Sequence, residues 1–302
     1  MLRIITDSVA SIPASLAEEA GIEIVTLFVN RDGVEYADAE MDLDAFYADI
    51  QEMADNIPTS SQPSQHALEQ AFEQAAEAGD EVLGIFISSG LSGTYEGALR
   101  AARAVKARNI DFSFVMIDSL SCGFDEAWPV MDAVEARDAG GDLAACADAV
   151  MKGIESTRFI FTPETLKFLH KGGRIGGAAA LLGNLVQLCP VLTVVDGVPE
   201  TLAKVRTRKK ALQKIVDAFK ADIEEHGLKQ VVVHYIGDAQ PAVQWARDVI
   251  EPLVGFAVKV LPVSPVIGLH VGPAVGIAYE CKNAIAGKVS APAPMHASAA
   301  SV

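Results

Sequence analysis

Two short stretches carry hydroxyl groups at the density that anion recognition needs. Ser88-Ser89-Gly90-Leu91-Ser92-Gly93-Thr94 follows an apolar run and leads into a helical pattern, and Pro58-Thr59-Ser60-Ser61-Gln62-Pro63-Ser64 reads as a polar loop before another helix. Hydroxyls and the free backbone N–H groups of a helix N-terminus attract negative charge. Neither stretch contains the lysine of a GxxxxGK[ST] phosphate loop, so a nucleotide is a poor fit and a singly charged carboxylate a better one. The plainer reading makes Ser92 or Thr94 a helix N-cap and nothing more. Two such stretches in one half of the chain weigh against it. Gly90-Leu91-Ser92-Gly93-Thr94 lacks the last glycine of a GxSxG nucleophile elbow, which leaves a Ser92/His270 hydrolase only as an alternative.

His270 stands in Val266-Ile267-Gly268-Leu269-His270-Val271-Gly272-Pro273, an apolar segment punctuated by glycines. A lone histidine there is ordinarily a satisfied structural side chain. The glycines nevertheless permit close approach of backbone or ligand, and an imidazole can donate to a carboxylate. Arg174 lies inside the glycine cluster Lys171-Gly172-Gly173-Arg174-Ile175-Gly176-Gly177. The cluster is no GxGxxG fingerprint after a strand, and its bland reading is a helix C-terminal charge beside capping glycines. Lys204-Val205-Arg206-Thr207-Arg208-Lys209-Lys210 places five cations in seven residues. Such a run is a solvated face or a docking patch for an acidic or phosphorylated partner.

These groups must be positioned by the surrounding elements. Apolar runs at Leu2–Thr6, Glu23–Val29, Val82–Ser88 and Phe114–Ile117 alternate with helical patterns at 14–20, 43–53, 65–78, 95–108 and 126–139. That alternation predicts an α/β fold whose N-terminal domain is a mostly parallel sheet flanked by helices. In such sheets ligands bind where the carboxyl ends of the strands open, and three of these strands end in Thr6-Asp7-Ser8, Ser88-Ser89 and Asp118-Ser119. The second half reads as an α+β domain. Its helix begins at Thr162-Pro163-Glu164 and stops at Gly172-Gly173, and an apolar helix spans 176–188. Strands follow at 191–195, 230–235, 257–260 and 275–279, with long helices at 207–226 and 239–253.

Composition narrows the class. The chain has 302 residues and a net charge of −16, which argues against a general nucleic-acid binder. Charge is split: residues 1–157 hold 8 Lys/Arg against 29 Asp/Glu, and residues 158–302 hold 16 against 11. The change of sign places a domain boundary near 155, giving domains 1–155 and 156–287 and an Ala/Ser/Pro-rich tail, 288–302, expected to be disordered. Mean hydropathy is +0.27. The most apolar stretch, 175–195, is interrupted by Gly183, Asn184, Gln187 and Pro190, so no membrane span is expected. An acid at Asp7 and the absence of a long apolar run speak against a secretory signal, and four cysteines without a CxxC pair suit a reducing cytoplasm and no metal.

Taken together, Thr6-Asp7-Ser8, Ser60-Ser61-Gln62-Pro63-Ser64, Ser89 through Tyr95, Leu169 through Ile175, Lys204 through Lys210 and Ile267 through Pro273 resemble the DegV family from about residue 3 to 285. The resemblance implies a long-chain fatty acid as ligand, no other cofactor, and an acyl chain buried in a slot between the two domains. It places the carboxylate on Ser92 and on a hydroxyl of the TSQP-type loop. That hydroxyl falls on Ser60 where the family more often has threonine, with Thr59 and Ser61 as neighbours in register. Thr94, His270 and Arg174 fall at the same end. Some members are the acyl-carrying subunit of bacterial fatty acid kinase. The resemblance therefore implies a non-catalytic chain, a kinase partner docked on Lys204, Arg206 and Arg208, and transient membrane contact to exchange lipid. A regulatory acyl sensor is the other alternative.

Overall fold

The structure is a computed structural model that describes residues 1–184 and 188–298. β1 (Leu2–Asp7) pairs in parallel with β2 (Ile22–Val25). The chain then leaves this sheet for a small antiparallel one, in which β3 (Phe28–Arg31) lies between β4 (Val34–Ala37) and β5 (Thr59–Ser61). β6 (Glu81–Phe86) and β7 (Phe114–Asp118) return to the first sheet, extending it in parallel as β7-β6-β1-β2. β8 (Thr157–Pro163), β9 (Cys189–Val195), β10 (Val198–Val205), β11 (Leu228–Ile236), β12 (Lys259–Pro262) and β13 (Ala274–Cys281) form the second sheet, ordered β10-β9-β8-β13-β11-β12. Only its β11–β12 pair is parallel. A parallel first half and an α+β second half are as the sequence pattern predicts.

Side chains alternate across each strand, so each sheet buries two faces. Ile5, Val82, Phe86 and Met116 pack on the helices Gln65–Ala78 and Thr94–Arg108. Ile4, Leu83, Ile85 and Ile117 face the opposite way, toward helices Phe124–Asp138 and Leu143–Ser156. In the second sheet Ile160, Val233 and Ile277 lie against helix Arg208–His226, whose side is made by Ala211, Ile215 and Phe219. Phe159, Phe161, Leu192 and Val194 point the other way and join the same apolar cluster as Ile4 and Leu83. One continuous apolar layer therefore runs between the two sheets.

Several elements differ from the sequence reading. The run 23–29 is two strands, because the Leu27 amide bonds Ser8 Oγ at 3.0 Å and its carbonyl accepts from Asp38 N at 2.9 Å, turning the chain from one sheet to another. Thr59–Ser61 is not loop but β5, with Ser60 opposite Val29. Thr162-Pro163 does not start a helix: it ends β8, and Thr162 Oγ1 donates to Pro190 O at 2.8 Å. The helix is only Lys167–Lys171, closed at Gly172. The predicted helix over 176–188 is a 3₁₀ segment over Gly176–Asn184, and 185–187 lie outside the described residues. The helix over 239–253 is broken by a π turn at Ala246–Ile250 just before Pro252, whose missing N–H interrupts the regular ladder. Helices Leu143–Ser156 and Pro265–Val271 and strands β8 and β10 are not among the elements expected from the sequence. The tail is corrected too. Lys288 is buried, and β14 (Met295–Ala297) adds antiparallel to β7 at the edge of the first sheet; residues 299–302 lie outside the described ones. Among the described residues, no helix is long and apolar enough to cross a membrane.

Candidate functional site

The layer between the sheets contains a cavity of about 350 Å³, a size usual for small-ligand sites. Its apolar walls come from Val9, Leu27 and Ile87 on one side, Phe159, Phe161 and Val194 on the other, and Ile267 and Val271 of helix Pro265–Val271. Cys122 also lines it as a buried thiol, pushed up in pKa chiefly by burial. One end is polar, formed by Ser60, Ser61, Gln62, Ser92, Arg174 and His270.

His270 is held by contacts far away in sequence. Asp38 Oδ1 accepts from Val266 N at 3.0 Å and Ser264 Oγ at 3.1 Å, satisfying the open N-terminus of the histidine's helix. The Tyr47 hydroxyl lies 2.8 Å from Val263 O and 3.0 Å from Ser264 O. At the other end the ring lies against Gly172, where a Cβ would come within 2.5 Å of His270 Nδ1. Burial first, and the nearby Arg174 charge second, lower the His270 pKa to about 4, so the ring is neutral near pH 7.

Ser60 Oγ lies 2.8 Å from His270 Nε2, while His270 Nδ1 is buried without a partner among the described residues. A buried N–H without an acceptor is rarer than an unpaired lone pair. On that ground the proton is assigned to Nε2, so that the ring donates to Ser60 and the Ser60 O–H is free to donate into the cavity. Ser61 points its hydroxyl elsewhere: Oγ donates to Glu35 Oε2 at 3.2 Å and accepts from Asn30 Nδ2 at 3.3 Å. Thr59 is exposed. Strand alternation thus selects Ser60 among the three candidates as the one against His270.

Ser92 sits in a turn whose amides at Leu91 and Ser92 both donate to Ser88 O, at 2.9 and 3.0 Å. Its Oγ accepts from Thr94 N at 3.3 Å and lies 2.8 Å from the fully buried Thr94 Oγ1. When Thr94 donates, Ser92 also keeps an O–H for the cavity. A Cβ at Gly93 would meet Gln62 Oε1 at 2.8 Å, so the two hydroxyl stretches touch because this position has no side chain. Arg174 spans the group, donating from Nε to Leu91 O at 3.1 Å and from Nη1 to Gly172 O at 2.6 Å.

The structure brings Ser60, Ser61, Ser92, His270 and Arg174 to one end of one cavity, with Thr94 behind Ser92. It does not bring Ser92 to His270 as a nucleophile–base pair: His270 bonds Ser60, and among the described residues its Nδ1 has no carboxylate to orient it as a triad requires. Lys204, Arg206 and Arg208 do not line the cavity. They are exposed on and just after the edge strand β10, and Arg208 Nη1 pairs with Glu164 at 2.6 Å. Sequence reasoning missed Asp38 and Tyr47, which have no motif. It noted Asp7 without giving it a role at the site. Its buried carboxyl accepts from Val9 N and Ile87 N, both at 2.9 Å, and so fixes two wall residues; burial raises its pKa to about 7.

Residues 1–282 match the family described as DegV, uncharacterised protein. A DegV domain-containing protein of Clostridium perfringens is 39% identical over 279 residues, covering 92% of this chain and 98% of that protein. Among solved structures, a DegV family protein from Thermus thermophilus presented for its fatty acid binding aligns with a TM-score of 0.81 at 32% identity, over 93% of this chain and 99% of that one. A stearic acid-binding protein from Eubacterium ventriosum gives 0.84 at 25% identity, and DegV, a fatty acid binding protein from Bacillus subtilis, gives 0.81 at 25%, each with the same coverage. With its fold shared across that length and the family match extending over most of its residues, this chain belongs to the DegV family.

Proposed function

We propose that this protein binds one long-chain fatty acid between its two domains, with the carboxylate on Ser60 and Ser92, and presents it to a fatty acid kinase subunit. The observation that carries the reading is the cavity itself: an apolar slot that ends on two hydroxyls, each backed by a second hydrogen-bonding group. Burial of an acyl chain contributes about 0.8 kcal/mol per CH₂. The buried carboxylate needs donors, and the Ser60 and Ser92 O–H groups supply them, with the Arg174 charge beside them. Neutral His270 acts through Ser60, and Thr94 through Ser92. The relatives presented as fatty acid-binding proteins support the same ligand.

Presentation to a partner is supported by a second hollow, about 620 Å³, on the outer side of the Ser60–His270 pair. Asp55, Asn56, Thr59 and Lys171 line it, and it shares Ser60, Arg174 and His270 with the cavity. A phosphoryl donor held by another protein could approach the carboxylate from there, and the exposed Lys204 and Arg206 offer a docking face. We assign the chain no catalysis of its own and, from its four free thiols, a cytoplasmic location, with lipid exchanged by transient membrane contact. Organic extraction of freshly purified protein followed by mass spectrometry tests the ligand. A fatty acid near one equivalent is expected, and a lipid-free extract from protein that also takes up no added fatty acid would overturn the reading.

A further inference from the structure

The family match ends at residue 282, yet the chain beyond it is built into the fold. Lys288 is 1% exposed, and its ammonium donates to Asp125 Oδ1 at 2.6 Å and to Thr157 Oγ1 at 2.7 Å. Asp125 belongs to helix Phe124–Asp138, which packs against both sheets, and Thr157 opens β8 of the second. This buried cation therefore ties the tail to the junction of that helix with β8, where Thr157 Oγ1 also donates to Asp125 O at 3.3 Å. Removing a charged group from water is costly unless it is paired and fully hydrogen-bonded, so this position is tightly specified.

The segment then crosses the turn between β9 and β10. Asp196 N donates to Lys288 O at 3.2 Å, and the Asp196 carboxylate accepts from Ser290 N at 2.7 Å and Ser290 Oγ at 2.9 Å. That turn abuts the loop carrying Ser92: Ser88 Oγ donates to Gly197 O at 2.7 Å, and a Cβ on Gly90 would meet Gly197 O at 2.9 Å. Further on, Pro294 O accepts from Asp118 N at 2.9 Å, β14 pairs with β7, and Ser298 N donates to Phe114 O at 2.9 Å. Residues 285–298 are thus fastened to the β9–β10 turn that abuts the Ser88–Thr94 loop and to the β7 edge of the first sheet.

We propose that residues 285–298 form a strap that holds the two domains closed over the cavity and sets the rate at which its ligand leaves. The proposal rests on the fatty-acid reading for the identity of that ligand. The cavity lies between the sheets and its polar end includes Ser92, so separation of the sheets near the Ser92 loop opens a way out for a long ligand. Separation there requires the strap to release either the Asp196 turn or the β7 edge. Lipid exchange would then be controlled by any event that peels the strap away.

Two variants loosen the strap while keeping Lys288 and Asp125 in the chain. Ser290→Pro removes the N–H and the hydroxyl that Asp196 accepts, and a chain ending at Val289 removes that clamp together with β14. The probe is cis-parinaric acid bound to delipidated protein, with its dissociation followed by stopped-flow fluorescence after addition of excess oleate. Release is expected to accelerate about tenfold or more, with association also faster, since entry and exit pass the same opening. Backbone hydrogen exchange in the ligand-free protein is expected to rise across 88–94 and the β9–β10 turn. Release within twofold of the parent in Ser290→Pro, with unchanged protection of those segments, would overturn the strap even if the truncated chain fails to fold. Should the parent itself bind no cis-parinaric acid, the fatty-acid reading falls, and the exchange measurement alone then decides the strap: unchanged protection overturns it.

Discussion

The hydrogen-bond arrangement around the carboxylate end can be tested by a pair of double-mutant cycles on fatty-acid affinity. Ser60→Ala removes a hydroxyl proposed to donate to the ligand charge. A hydrogen bond to a charged group contributes about 1.5–3 kcal/mol, so affinity should fall roughly 10- to 150-fold. Ser92→Ala should cost a similar amount for the same reason. His270 lies 2.8 Å from Ser60 and has no hydrogen bond to Ser92, so its effect on the ligand passes through Ser60. His270→Ala alone should cost about 1 kcal/mol, the contribution of an ordinary hydrogen bond. In the Ser60/His270 double variant most of that cost is already lost, giving a coupling of about 1 kcal/mol. In the Ser92/His270 double variant the costs should add to within about 0.5 kcal/mol. Titration of delipidated protein with cis-parinaric acid supplies the affinities, and thermal unfolding of each variant separates lost binding from lost folding. If Ser92 couples to His270 while Ser60 does not, the arrangement is wrong and a Ser92/His270 hydrolase regains its standing.

Acid stability carries a second signature. The His270 pKa in the folded protein, about 4, lies below its ordinary 6.5, so the unfolded chain binds the extra proton first as pH falls. The stabilising contribution of the neutral ring is complete above about pH 6.5 and is lost progressively toward pH 4. Asp7, raised to about 7, acts in the opposite sense over much of the same window, so comparison with the parent is needed. In urea unfolding at pH 7, 5.5 and 4.5, His270→Gln should lose less stability on acidification than the parent, and equal losses would contradict the buried neutral ring. For the docking face, Lys204→Glu with Arg206→Glu should lower acyl-phosphate formation by an added fatty acid kinase subunit and ATP, read as hydroxamate after trapping with hydroxylamine. Fatty-acid affinity should stay within about twofold, because neither residue lines the cavity. Unchanged product formation would remove these cations from docking.

Much of the architecture was legible because it depends on local pattern. The helices Gln65–Ala78 and Thr94–Arg108 show clear periodicity, and the former is closed by Ser64 at its start and Gly79 at its end. β6 and β7 are buried on both faces and read as continuous apolar runs. Elements that were missed have weaker local signals. β10 alternates exposed and half-buried residues at a sheet edge, and helix Pro265–Val271 is so apolar that no face distinguishes it from a buried strand. The tail was misjudged from its composition: its Ala, Ser and Pro residues offer little apolar surface, but Lys288, Ser290 and Pro294 are held by specific polar partners elsewhere in the chain.

By itself, the sequence determined which residues could carry the chemistry: two hydroxyl-rich stretches free of a phosphate-loop lysine, a histidine among glycines, and a charge balance unsuited to nucleic acid. Only the tertiary structure decided which of Thr59, Ser60 and Ser61 meets that histidine, because strand pairing sets which way a side chain faces and Ser60 and His270 are 210 positions apart. It also decided that Asp38 and Tyr47 hold the histidine's helix, and that a lysine from an unremarkable tail is buried against Asp125 and Thr157. Such contacts depend on distances closed by folding, which no periodicity along the chain encodes.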